Sequence, residues 1–278
     1  MFRSLFKGRE DAYALFWSNE RSGKKGYSPA CEDPWSLRKG QPRKYLPLTD
    51  QVIHDHLSGN KTIGIFPLLK DSSCWFLACD FDEEGWQLDA AAFLDVCRQR
   101  GVPAYLERSR SGNGGHVWIF FSSPVSATSA RQLGMRILRQ TMDLRSDMDL
   151  GSYDRFFPNQ DFVPKGGFGN LIAAPLQKKC RALGNTEFLD TSSHELRPWP
   201  DQWAFLSGIQ RLTSIQVDAL LEIMPSVTVG PGKSPASTSE LKARQPAPKS
   251  IRCEFGASFS IEKSGIPPWM ISQIKHLA

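Results

Sequence analysis

The sequence predicts a mixed α/β (α+β) body, and three observations carry that expectation. Apolar runs of strand length alternate with stretches of helical spacing. With 40% hydrophobic and 11% aromatic residues among 278, the chain can build a substantial core. The longest break in this composition comes only after Met224, where Gly, Pro, Ser, Thr, Lys and Ala dominate from Thr228 to Ser250 and mark a flexible linker. The expected organisation is a folded body over residues 1–226, a linker over 227–253, and an apolar segment over 254–278 too short to bury itself.

Along the body, Asp11 to Ser18 has the spacing of a short amphipathic helix, and Arg21 to Lys44 reads as a basic, Gly/Pro-punctuated loop with Tyr27, Trp35 and Tyr45 interleaved. Thr49 is placed to cap a helix that runs to Leu57, and Thr62 to Leu69 reads as a strand. Cys74 to Cys79 is a continuous apolar run of the length of a strand covered on both faces, and it leads directly into Asp80-Phe81-Asp82. Leu88 to Arg100 keeps helical spacing, with Gly101 placed to end it. Ala104 to Arg108, Val117 to Phe121 and Leu171 to Leu176 read as strands, with a helix over Ser129 to Leu144.

Charge and cysteine usage exclude more than they identify. The 34 Lys+Arg against 29 Asp+Glu give a formal +5, which suits a polyanionic partner without requiring one. The six cysteines contain no C-x-x-C pair, so neither a disulfide framework nor structural zinc is expected, and Cys74, Cys79 and Cys97 read as reduced core positions. No apolar run approaches the ~18 residues of a membrane span, and Met1 to Arg9 has no apolar run long enough for a signal peptide, so none is expected. A soluble cytoplasmic protein is the expectation.

Three constellations carry chemistry. In Asp80-Phe81-Asp82, period-two geometry sends both carboxylates to one face at a spacing that suits shared divalent cations. With Glu83 and Glu84 close behind, the same residues also read as a solvated strand end. Next, the segment from Glu107 to Phe121 passes through Arg108-Ser109-Arg110-Ser111-Gly112-Asn113-Gly114-Gly115-His116. Its glycines admit close backbone approach to an anion and its Arg and Ser side chains suit phosphate oxygens, although Ser-Gly-Asn-Gly is also ordinary hairpin-turn chemistry. The third runs from Ser152 to Asp161 and on to Lys165. Asp154 is a candidate third carboxylate with Asp149 and Asp161 as competitors, Lys165, Lys178, Lys179 and Arg181 are candidates to meet a triphosphate, and a plain polar loop is the bland alternative. His54 and His56 diverge on a helix and are expected at the surface, while Trp199, Trp203 and Phe205 are expected to pack a core edge.

The order of apolar strand, Asp80-x-Asp82, Ser-Gly-x-Gly-Gly-His116 with its hydrophobic continuation, and a later isolated Asp resembles the archaeo-eukaryotic primase superfamily. Four blocks, Phe76 to Asp82, Leu106 to Phe121, Tyr153 to Asp161 and Gly166 to Gln177, are similar to the primase-polymerase module of TOTE conflict-system proteins. The resemblance implies a two-lobed core with an RRM-like catalytic half that performs template-directed nucleotidyl transfer on single-stranded DNA, as primer synthesis, primer extension or both. On this resemblance Asp80, Asp82 and Asp154 hold two Mg²⁺ or Mn²⁺ ions. Arg108, Ser109, Arg110, Ser111, Gly112, Gly114, Gly115, His116, Lys165 and Lys178 then surround the nucleotide. The implied partners are a DNA template, a primer strand, NTP or dNTP, and a helicase module in cis or trans, whose opening segment residues 254–278 resemble. Family members often carry a cysteine-rich zinc insertion where this chain has Ser28 to Tyr45 with only Cys31, so zinc is not expected. The rival reading is a non-catalytic single-strand-binding module with an RRM-like sheet, and a metal-dependent nuclease ranks last.

Overall fold

The computed structural model describes residues 1–32, 43–82, 84–144, 153–193 and 195–225. The expected linker and tail, together with Asp149, His194 and His276, lie outside them. The described chain folds around two four-stranded antiparallel sheets.

The first sheet follows from the central apolar run. β4 (Ser73–Asp82), α3 (Trp86–Gln99), β5 (Tyr105–Arg108), β6 (Gly114–Ser126), α4 (Ala127–Leu144) and β7 (Tyr153–Phe157) occur in that order, and the sheet order is β5-β6-β4-β7. This is the split βαβ arrangement of an RRM-like unit. The second sheet has the order β2-β1-β3-β8, from β1 (Ala14–Asn19), β2 (Lys24–Pro29), β3 (Ile63–Ile65) and β8 (Ile172–Ala173). Short helices α1 (Phe2–Leu5), α2 (Asp50–Ser58), α5 (Lys178–Arg181), α6 (Gln202–Ser207) and α7 (Ser214–Ile223) complete the described fold.

From Cys74 to Cys79 β4 is continuously apolar because both of its faces are covered there. Leu77, Cys79 and Phe81 pack with Phe93, Leu133 and Ile137 of α3 and α4, while Phe76 and Ala78 pack with Trp118, Phe120 and Ile63 between the two sheets. Trp118 and Phe120 stack with centroids 5.9 Å apart, and Phe6 meets Trp118 edge-on at 5.2 Å. Local signals set the helix ends. The Thr49 side chain accepts from Val52 N at 3.3 Å, and Gly101 at φ +67° follows the last turn of α3, a conformation that glycine adopts without strain.

Several expectations are corrected. Asp11 to Ser18 is not a helix: Ala14 to Asn19 is a strand paired on both sides, with β2 and β3. Residues 24–29 of the expected loop form β2, and residues 33–42 lie outside the description. The strand expected over Thr62 to Leu69 shortens to Ile63–Ile65, and that over Leu171 to Leu176 to Ile172–Ala173. His56 is fully buried, its Nε2 2.8 Å from Pro175 O and its Nδ1 accepting from Ile63 N at 3.3 Å, while His54 is exposed. Trp199 and Phe205 do pack a core edge, stacked at 5.2 Å, whereas Trp203 is 37% exposed. Cys74, Cys79 and Cys97 are buried free thiols. Among the described residues no helix is long and apolar enough to cross a membrane.

Candidate active site

β4 outruns its core. The face carrying Phe76 and Ala78 continues, with period two, to Asp80 and Asp82, beyond the point where the second sheet covers it. Asp80 keeps 13% of its side chain exposed and Asp82 lies in the open. Across the sheet Asp80 stands opposite His116 on β6 and Arg155 on β7, and His116 stands opposite Glu107 on β5. One rung therefore carries Glu107, His116, Asp80 and Arg155, acid and base in alternation.

A bulge brings in a further carboxylate. Asp80 is paired with Arg155 but Phe81 with Tyr153, so Asp154 is the extra residue on β7. Arg155 holds the Asp154 carboxylate at 2.6 Å. Burial pushes the Asp80 carboxyl up from its ordinary value; His116 and Arg155 oppose that rise, and the nearby Asp82 and Asp154 add to it. Asp161 is paired with Arg131 of α4 instead.

These carboxylates supply hard oxygen donors, and at Asp80 burial disfavours ionisation, a cost that a divalent cation offsets. Among the described residues no three such side chains already stand close enough to grip an ion. Asp154 is engaged by Arg155, and Asp80 faces His116.

The glycine segment is the hairpin turn between β5 and β6, closed by Ser109 N donating to Gly114 O at 2.9 Å. Gly112 takes φ +83° and donates its N–H to Ser109 O at 3.0 Å, and the hydroxyls of Ser109 and Ser111 lie 3.0 Å apart. Gly114 and Gly115 are already inside the ladder. A Cβ on Gly114 falls 2.4 Å from Asp82 Oδ1, and one on Gly115 falls 2.5 Å from the Trp86 ring, so both are glycine for close packing. Arg108 is tethered to backbone, its guanidinium donating to Leu196 O at 3.1 Å and Gly184 O at 3.5 Å. Arg110 stacks over Phe16 at 4.1 Å and faces Tyr27 at 6.0 Å, and the Tyr27 hydroxyl is buried without a hydrogen-bond partner.

His116 is buried at 7% exposure. Its Nδ1 lies 2.7 Å from Glu107 Oε2, which also accepts from Trp118 Nε1 at 3.0 Å, and its Nε2 lies 3.4 Å from Asp80 Oδ1. Burial alone lowers the imidazole pKa, but Glu107 and then Asp80 overturn that and raise it to about 9.

The structure thus gathers Asp80, Asp82, Asp154, His116 and the turn from Arg108 to Gly115 at one end of the first sheet. Lys165 and Lys178 are exposed, and the charges acting most strongly on Asp80 are those of His116, Asp82, Asp154 and Arg155. Sequence reasoning gave no role to Glu107, Arg155, Phe16 or Tyr27. For Glu107 a signal existed: once Ser109 and Gly114 close the hairpin, register places Glu107 opposite His116.

Residues 1–220 match the family described as the archaeo-eukaryotic primase domain of the TOTE conflict system, and the chain belongs to that family. No curated protein matches it. Among solved structures, the polymerase domain of Mycobacterium tuberculosis ligase D in complex with DNA is similar at a TM-score of 0.40 and 15% identity, over 81% of this chain and 88% of that one. The archaeo-eukaryotic primase domain of the cyanophage S-2L primase-polymerase is similar at a TM-score of 0.30 and 15% identity, over 63% and 88%.

Proposed function

We propose that this chain is a DNA primase-polymerase that carries out template-directed nucleotidyl transfer on single-stranded DNA, by primer synthesis, primer extension or both. The observation that carries the reading is the rung Glu107–His116–Asp80–Arg155 with Asp154 bulged beside it. Asp80, Asp82 and Asp154 are the residues that would hold two Mg²⁺ or Mn²⁺ ions. Such ions, when bound, neutralise a triphosphate and lower the pKa of an attacking 3′-hydroxyl.

The chain's own residues bind and orient. His116 Nε2–H donates to a phosphate oxygen, and Arg110, Ser109, Ser111 and the turn amides line the triphosphate. Lys165 and Lys178, both exposed, are the further cations proposed for the triphosphate. Arg108, tethered to Leu196 O and Gly184 O, supports the turn beside the nucleotide. Residues 227–253 as a linker and 254–278 as the opening of a helicase module belong to the same proposal, on the resemblance alone.

One observation weighs against the rival binding module. An RRM-like sheet stacks bases on exposed aromatic side chains, but here Phe76, Trp118 and Phe120 are at most 1% exposed beneath the second sheet. The test is the full chain with a single-stranded template, labelled nucleotides and Mn²⁺, with and without a primer. Template-dependent incorporation supports the enzyme, whereas metal-independent DNA binding with no incorporation supports the binding module.

A further inference from the structure

We propose that Glu107 is the positioning residue of this site: it holds His116 with the proton on Nδ1 and so aims Nε2 at the cleft where Asp80 stands. The proposal rests on the reading of His116 as a nucleotide contact and adds what makes that contact directional.

The geometry leaves little choice of roles. An indole N–H only donates, so the Glu107 oxygen 3.0 Å from Trp118 Nε1 is an acceptor. The same oxygen lies 2.7 Å from His116 Nδ1, and a carboxylate there takes that nitrogen's proton as a hydrogen bond. Glu107 is 1% exposed, and an acid so placed is costly unless its donors are supplied. An aliphatic side chain would fill the position without that cost. The ring itself is clamped, edge-on to Trp118 at 6.2 Å and to Phe157 at 6.3 Å, so its one remaining polar edge is Nε2. Backbone register makes the pairing rigid, since Glu107 and His116 are direct cross-strand partners and His116 in turn faces Asp80.

The decisive measurement is ¹⁵N NMR of histidine-labelled full chain, without metal or nucleotide, at a pH above about 9, where the ring keeps a single proton. That proton is expected on Nδ1 of His116, and a ring that carries it on Nε2 overturns the proposal without any variant. Kinetics follow on Glu107→Gln, His116→Ala and the double variant in Mn²⁺-dependent extension. Glu107→Gln keeps an acceptor oxygen but loses the charge, and nucleotide kcat/KM is expected to fall on the order of 10- to 100-fold, mainly through KM. In the His116→Ala background the same change should cost less than about twofold, because Glu107 acts through the ring. Equal losses in both backgrounds, or a loss confined to thermal stability, contradict the positioning role. If His116→Ala itself leaves kcat and KM unchanged, the reading of His116 as a nucleotide contact fails, while the Nδ1 signal still decides what Glu107 does.

Discussion

Replacing Asp80 with Asn separates the site's chemistry from the fold's stability. Asp80 is 13% exposed, and burial together with Asp82 and Asp154 raises its carboxyl against the pull of His116 and Arg155. An acid whose pKa is higher in the folded than the unfolded state binds its proton more tightly when folded. Stability therefore falls as pH rises from the unfolded value through the folded one, and at neutral pH ionised Asp80 is a net cost. An amide of the same shape removes that charge, a gain on the order of 1 kcal/mol. At roughly 2–4 °C per kcal/mol for a body of this size, the variant's Tm at pH 7 should equal the parent's or exceed it by up to ~4 °C. The difference should vanish below the ordinary carboxylate range, near pH 3 to 4, where Asp80 is protonated in both states. Saturating Mn²⁺ reverses the order: at about 100 times Kd a native-state ligand contributes ~2.7 kcal/mol, and the parent alone should gain it. Thermal melts across pH, with and without Mn²⁺, are read beside nucleotide incorporation, which should drop to background. A variant that loses several degrees at pH 7, responds to Mn²⁺ like the parent, or still incorporates nucleotide refutes the reasoning.

Gly115→Ala places a Cβ 2.5 Å from the Trp86 ring and 3.1 Å from Glu107 O, and should cost about 1–3 kcal/mol in urea titration; an unchanged midpoint contradicts the packing. Trp118→Ala empties the centre of the inter-sheet core and should cost about 3–5 kcal/mol, whereas intact stability with weakened DNA binding would mark the sheet as a base platform. Arg110→Ala removes a guanidinium that stacks on Phe16 and faces Tyr27, so Tm should change little while nucleotide KM rises about tenfold, the value of one charge-assisted contact. An unchanged KM removes Arg110 from the triphosphate site.

The sequence revealed elements whose pattern is local. β4 announces itself because both faces are buried, α2 because Thr49 caps it, and α3 because its spacing is regular and Gly101 closes it. The first strand was hidden because Ala14 to Asn19 gain their structure from pairing, with Lys24–Pro29 across a hairpin and with the distant Ile63–Ile65, and local spacing does not report pairing. β7 was hidden by its own bulge. Tyr153 and Phe156 both face the helices but stand three residues apart, which breaks the alternation that identifies a strand. The same irregularity sets Asp154 beside Asp80, so the feature that obscures the strand also helps to build the site. At the turn, the glycines looked suited to an anion, yet Gly114 and Gly115 are small because Asp82 and Trp86 crowd them. Composition suggests phosphate contact there, and only the fold distinguishes the glycine that bends the turn from those that admit neighbours.

The central claim is that Asp154, rather than another acid of the same segment, joins Asp80 and Asp82 in serving the reaction. Primed-template incorporation with Mn²⁺ by Asp154→Asn and Asp161→Asn, measured side by side, tests it most directly. Loss of incorporation in Asp154→Asn with Asp161→Asn near the parent is the expected result, since the bulge sets Asp154 beside Asp80 whereas Asp161 pairs with Arg131 of α4. Activity retained in Asp154→Asn and lost in Asp161→Asn contradicts the account.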